Sequence, residues 1–397
     1  MTENKKNFTD TVPDNYQLRH IDVLDGLRAT AIMIIVWFHI WQQSWLMPVY
    51  KSINLDWIPR NGSFCVDMMI LLSGFCLFLP YAREMVLGEK AAPAKEFYIK
   101  RAARIMPSYY AAIFICLFLF ALPSGQYSSK TFMIKDVVSH LFFVHNFRAD
   151  TLLGTKLNGA LWTVAVEMQL YLLFPFIAKR FQKKPALTYT AMVAAGQAGC
   201  LLICRNAPAL EMRLYVNHTL TFFSVFANGM LGALAYITVA RDIKKSKPVQ
   251  LLFFILACAG VMFYRLMCSS YSSSADKLIW QVENRFLLSL VFLLIVFSVV
   301  MARDLFRPLL ANRIMKFIAD ISFNLYIWHQ YIAVLLKEAR IPFWQGDVPP
   351  NMLNDKVWMW KYQTICFAAA FAVAAAMTYL VEKPAARMIL KKFSKKI

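Results

Sequence analysis

The sequence predicts an all-α protein: a polytopic transmembrane helical bundle of about ten spans, with N and C termini cytoplasmic. Three observations carry that prediction. Of 397 residues, 59% are hydrophobic and only 17% charged, against roughly 25% charged in an ordinary soluble domain. Mean hydropathy is +0.48, and several windows of ~18 residues run almost without charge, long enough to cross a ~30 Å hydrocarbon core. In a ten-span arrangement about 28 of the 43 Lys and Arg fall on the side of the N terminus, the bias of the positive-inside rule. The net charge of +20 therefore reads as membrane topology. A lipid bilayer, and no nucleic acid, is the expected partner.

Residues 1–26 open on "MTENKKNFTDTVPDNYQLRH", a polar cytoplasmic tail with no small-residue cleavage site after it, so the first apolar run reads as a signal anchor. Spans follow near 27–47, 64–82, 104–123, 157–180, 186–205, 214–240, 249–268, 283–302, 314–337 and 358–381. Basic clusters mark the inner loops: "REMVLGEKAAPAKEFYIKRAAR" after the second span, "KRFQKK" after the fourth, "RDIKKSK" after the sixth and "KKFSKK" at the end. Residues 27–382 form one membrane domain, and 383–397 a basic cytoplasmic tail with no appended domain. The eight cysteines sit in or beside apolar segments without a CxxC pair, so neither a metal site nor a disulfide framework is expected.

Ionisable side chains inside such spans are costly and usually have a partner or a task. In "DGLRATAIMIIVWFHIW" Arg28 and His39 are eleven residues apart, which returns to within about 20° on a helix and separates them by ~16 Å along the axis. Arg28 then sits at the cytoplasmic mouth and His39 near mid-membrane. "LNGALWTVAVEMQLYLLFP" brings Glu167 to a similar depth, with Tyr171 one turn below. An imidazole and a carboxylate at one level can form an acid/base pair. Arg101 and Arg104, three residues apart, share a helical face and offer planar donor forks that suit phosphate. Asp67, Ser73, Trp162, Asn324 and His329 complete the polar or aromatic supporting set, and Ser73-Gly74 permits close helix approach. Snorkelling, headgroup anchoring and hydrogen-bonded packing are the plainer explanations of each residue taken singly.

Five stretches taken together, "DGLRATAIMIIVWFH", "GSFCVDMMILLSGF", "FYIKRAARIMPSYY", "NGALWTVAVEMQLYLLFP" and "FIADISFNLYIWH", resemble the acyltransferase 3 family of integral membrane acyltransferases. Residues 180–310 match mainly in hydropathy and in "FANGMLGALA". The likeness departs mildly at "VDMMILLSGF", where aromatics often follow the Asp, and at Thr163, where Ser is common. The resemblance implies O-acylation of surface or periplasmic carbohydrates in the plasma (inner) membrane of a bacterium. It implies acyl-CoA, with acetyl-CoA the expected donor, entering from the cytoplasm. Arg28, Arg101 and Arg104 would bind its phosphates, His39 would be the catalytic base, and Glu167 would be its partner. Some relatives carry an extracytoplasmic esterase-like domain, so the resemblance implies that this chain either acts alone or hands the acyl group to a separate extracytoplasmic acyl-transfer partner. The competing reading is a proton-coupled transporter using His39, Glu167 and Asp320 as a relay.

Overall fold

The computed structural model describes residues 20–51, 53–206 and 216–394. Most of the expected cytoplasmic tail, the start of the sixth expected span at 214–215 and the last three residues of the basic tail lie outside the described residues. Ten long helices run in chain order: α1 Asp22–Ser44, α2 Cys65–Leu87, α3 Ala94–Ile115, α4 Trp162–Lys183, α5 Pro185–Asn206, α6 Phe223–Asp242, α7 Lys247–Ser273, α8 Lys277–Met301, α9 Arg313–Glu338 and α10 Lys356–Met377. Each overlaps an expected span, although α1 starts five residues before the expected 27, α3 ten before the expected 104 and α6 nine after the expected 214, and the chain stays helical over Lys383–Ser394. Among the described residues, nine helices are long and apolar enough to cross a membrane. The exception is α9, which has the length, 26 residues, but carries Arg313, Lys316, Asp320, Lys337 and Glu338. Two of these charges meet neighbouring elements, Asp320 at Lys383 and Lys337 at the Gln43 carbonyl.

The helix starts follow from local chemistry. Ser246, Asp276, Asn312 and Asp355 cap α7, α8, α9 and α10, each side chain accepting from a backbone N–H of the first turn, which satisfies donors a helix cannot satisfy itself. Gly88, at φ 73°, terminates α2 in the left-handed region that glycine occupies without strain. α2 and α6 cross backbone to backbone at Gly74 and Gly229, where an added Cβ would lie 2.4 Å from the Phe226 oxygen and 2.1 Å from the Leu71 oxygen. The small-residue contact expected at Ser73-Gly74 is thus present, the packing mode of helices in lipid.

Beside that crossing, Asp67 of α2 and Arg285 of α8 form an ion pair at 3.0 Å, both side chains 1% exposed. Arg285 also donates to the Val216 carbonyl and Thr221 Oγ1, each at 2.6 Å, and covers the Phe222 ring at 4.2 Å. The segment between α3 and α4 folds over Lys130–Leu141 into a small polar core. Here Asp136 Oδ2 accepts from the Tyr127 hydroxyl at 2.9 Å and the Lys156 N–H at 3.1 Å. The His140 and His145 rings stack 3.8 Å apart at 8°.

Candidate functional site

A cavity of about 100 Å³ lies where α1, α2, α3, α4 and α9 converge. Arg28, Arg101, Arg104, Glu167, Tyr171 and Ser73 line it, together with Tyr326 and Ser322 of α9. The sequence-derived cationic set is therefore assembled: three guanidiniums from two helices share one cavity with one carboxylate. Arg28 Nη1 stands 3.3 Å from Asp25 Oδ1, and Nη2 donates to Cys76 Sγ at 3.9 Å. Arg101 lies 5.9 Å from the ring centroids of both Phe97 and Tyr171, and its Nε is buried without a partner. Arg104, Arg28 and Arg101 are the charges that act on Glu167, and Tyr171 sits beside it. The Tyr171 hydroxyl is 2.9 Å from Ser73 Oγ. Such a surplus of fixed positive charge in a membrane-embedded space is chemistry for an anionic ligand.

The expected pairing of His39 with Glu167 is not what the helices make. Among the described residues no hydrogen bond or ion pair joins the two, and His39 is not in the cavity wall. His39 Nδ1 donates instead to Gln42 Oε1, one turn on, at 2.9 Å. That bond leaves Nε2 as the bare acceptor, the tautomer a general base needs. The physical reason for the difference is lateral. Five residues separate His39 from the end of α1 and Glu167 from the start of α4, so the levels agree. The Glu167 side chain, however, turns toward the arginines of α1 and α3, while His39 turns toward α9.

On α9, His329 is 1% exposed, its ring 5.0 Å from that of His39. Its Nδ1 donates to the Tyr326 carbonyl at 2.7 Å, and its Nε2 is buried without a partner. Tyr326 belongs to both neighbourhoods: it lines the arginine cavity, and its ring lies 5.6 Å from His329. Asn158 fixes the register between α4 and α9 by donating to the Ile327 carbonyl at 2.7 Å.

The remaining sequence-derived residues take other places. Asp67 is held by Arg285, outside the cavity wall. Trp162 packs at 6.2 Å from Phe222. Asn324 donates to Thr378 Oγ1 at 2.9 Å and to Glu382 Oε2 at 2.7 Å, tying α9 to the turn after α10. Asp320 is exposed and pairs with Lys383 at 2.5 Å and the Tyr379 hydroxyl at 2.9 Å, so it forms no relay with His39. Gln42 and Tyr326 escaped the sequence reading. Gln42's one signal was its i,i+3 spacing from His39, and Tyr326 reads as one aromatic among many.

Fold and site together define a multi-pass membrane protein that holds an arginine-lined cavity beside an oriented imidazole pair. The chain belongs to the acyltransferase domain family Acyl_transf_3, whose model matches residues 21–382. It is similar to the O-acetyltransferase OatA of Staphylococcus aureus strain NCTC 8325 / PS 47, 24% identical over 348 residues that cover 84% of this chain and 53% of that protein. OatA of strain COL matches with the same figures. The chain spans about half the length of the curated relatives it matches. No solved structure matches.

Proposed function

We propose that this chain is a membrane O-acyltransferase. It moves an acyl group, acetyl by analogy with the relatives' printed names, from acyl-CoA to a hydroxyl of a surface or periplasmic carbohydrate. The membrane is the bacterial plasma membrane, the donor comes from the cytoplasmic face and the acceptor from the opposite one. The observation that carries the reading is the arginine cavity set below an imidazole whose Nδ1 proton is already committed.

In this scheme Arg28, Arg101 and Arg104 hold the CoA phosphates, and Glu167 orients the guanidiniums rather than the imidazole. The pantetheine arm runs outward, and the ~16 Å between Arg28 and His39 is a workable span for it. Tyr326 swings aside to admit the thioester. His39 Nε2 takes the proton of the acceptor hydroxyl as that oxygen bonds to the thioester carbonyl carbon. The C–S bond breaks, CoA leaves as thiolate, and the imidazolium proton passes to it, which leaves an ester and free CoA.

Purified protein in detergent or nanodiscs, given radiolabelled acetyl-CoA, tests this. The native chain should bind CoA and cleave the thioester slowly. His39→Ala should keep CoA binding while transfer falls by ~10²–10⁴, and Arg101→Gln with Arg104→Gln should lose CoA binding. Absent CoA binding in a folded native protein would remove the donor assignment. Full activity in His39→Ala would remove the base.

A further inference from the structure

A second cleft, of about 680 Å³, opens at the other end of α1, between the last turns of α1 and α7, the start of α8 and the short helix Trp57–Arg60. Its chemistry differs from that of the arginine cavity. Three cations are held against three rings: Arg60 lies 4.9 Å from the Trp41 centroid, Arg265 5.6 Å from Trp57, and Lys277 5.0 Å from Tyr271. Asp56 neutralises Arg60 through Oδ2 at 2.5 Å. Arg265 and Lys277 have no acidic partner among the described residues, and Lys277 is steadied by the Tyr271 and Ser272 carbonyls at 3.3 and 3.2 Å.

Two acceptors in the same wall lack donors. Asp56 Oδ1 and Asn61 Oδ1 are buried without a hydrogen-bond partner, on residues 7% and 0% exposed. A buried acceptor left unmatched is costly, so these two oxygens call for a ligand that donates. Hydroxyl groups donate, the two cations without an acidic partner want negative charge, and aromatic walls suit the C–H faces of sugar rings. An interfacial aromatic belt would explain the rings alone but not the unmatched oxygens among them. Gln42 joins the cleft to the chemistry, because it lines the wall while its Oε1 holds the His39 Nδ1 proton.

We infer that this cleft is the acceptor port and takes an anionic carbohydrate. Arg265 and Lys277 engage its carboxylate, phosphate or sulfate, and Asp56 and Asn61 accept from its hydroxyls. Calling the ligand an acceptor rests on the acyltransferase reading; its binding does not.

The test uses full-length protein in phosphatidylcholine nanodiscs without acyl-CoA, titrated by calorimetry with trigalacturonate, galactose 6-phosphate and neutral maltotriose. The acidic sugars should bind about tenfold tighter than maltotriose, and Arg265→Gln and Lys277→Gln should each weaken them about tenfold while maltotriose binding stays unchanged. Thermal melts of each variant check folding. Equal affinity for acidic and neutral sugars overturns the inference. So does displacement by inorganic phosphate at matching concentrations, which marks a bare anion site, or loss of sugar binding in phosphatidylglycerol discs, which marks a headgroup site. Acidic-sugar binding without CoA binding keeps the anionic-carbohydrate site and removes only the donor reading. CoA binding without acidic-sugar binding removes this site alone.

Discussion

His39 and Gln42 are one helical turn apart on α1, and their bond decides what the imidazole can do. A proton fixed on Nδ1 keeps the lone pair on Nε2, so in the proposed reaction His39 needs no reorganisation before it acts as a base. Gln42→Leu should leave the fold and CoA binding intact while lowering transfer by about tenfold, read as radiolabelled ester formed per minute; unchanged transfer would show that the tautomer is fixed by something else. Gln42→Glu, which keeps an acceptor at the same place, should restore most of the rate. The same bond shows why the sequence led to Glu167 instead. Depth along a helix can be counted from residue number, but the direction a side chain faces across the bundle depends on how α4 packs against α2, α3 and α5 and how the turn before it meets α9. That packing is set by long-range contacts such as Asn158 on Ile327, which no local spacing encodes. The arginine set was legible because Arg101 and Arg104 share one face of one helix, where local spacing suffices.

At the scale of elements, the Asp67–Arg285 pair pins α2 to α8. Removing only the carboxylate leaves a buried guanidinium uncompensated, so Asp67→Ala should destabilise the protein by about 3–5 kcal/mol, seen as a lower midpoint in thermal unfolding in detergent. The double change Asp67→Leu with Arg285→Leu should recover much of that loss, because a well-packed apolar pair avoids the desolvation cost. The segment between α3 and α4 adds a pH response. Burial first, and then the neighbouring His140, hold the His145 pKa well below its ordinary 6.5. The unfolded segment therefore binds a proton that the folded one refuses, and stability falls as pH drops below about 6.5 toward the depressed value. Asp136, held below its ordinary 3.8 by His140, Lys156 and Tyr127 against the opposing effect of burial, extends the loss in stronger acid. The protection factors of amides over 130–158, taken relative to intrinsic exchange at each pH, should fall between pH 7 and pH 5 in the native protein, and much less in His145→Phe.

For the whole molecule, nine of the ten long helices among the described residues were readable because each is a long apolar window, and burial in lipid demands nothing subtler of the sequence. α9 stands at the margin of that rule: it was found by pattern, yet its charges keep it out of the group of helices apolar enough to span alone. Its polar residues are taken up by partners, Asn324 by Thr378 and Glu382, and Asp320 by Lys383. A helix that contributes so many polar contacts to its neighbours is also the one that supplies His329 and Tyr326 to the site.

Tyr326, shared between the arginine cavity and the histidine pair, has a consequence for the cell's energy supply. Under the proposed function, with one substrate taken from each side of the bilayer, this phenol stands between the arginine cavity and the histidine pair. In that scheme the ring would be the stopper that keeps the proton gradient from short-circuiting through the protein. Tyr326→Ala proteoliposomes loaded with a pH-sensitive dye should collapse an imposed gradient faster than native ones; matching rates would put the seal on another side chain.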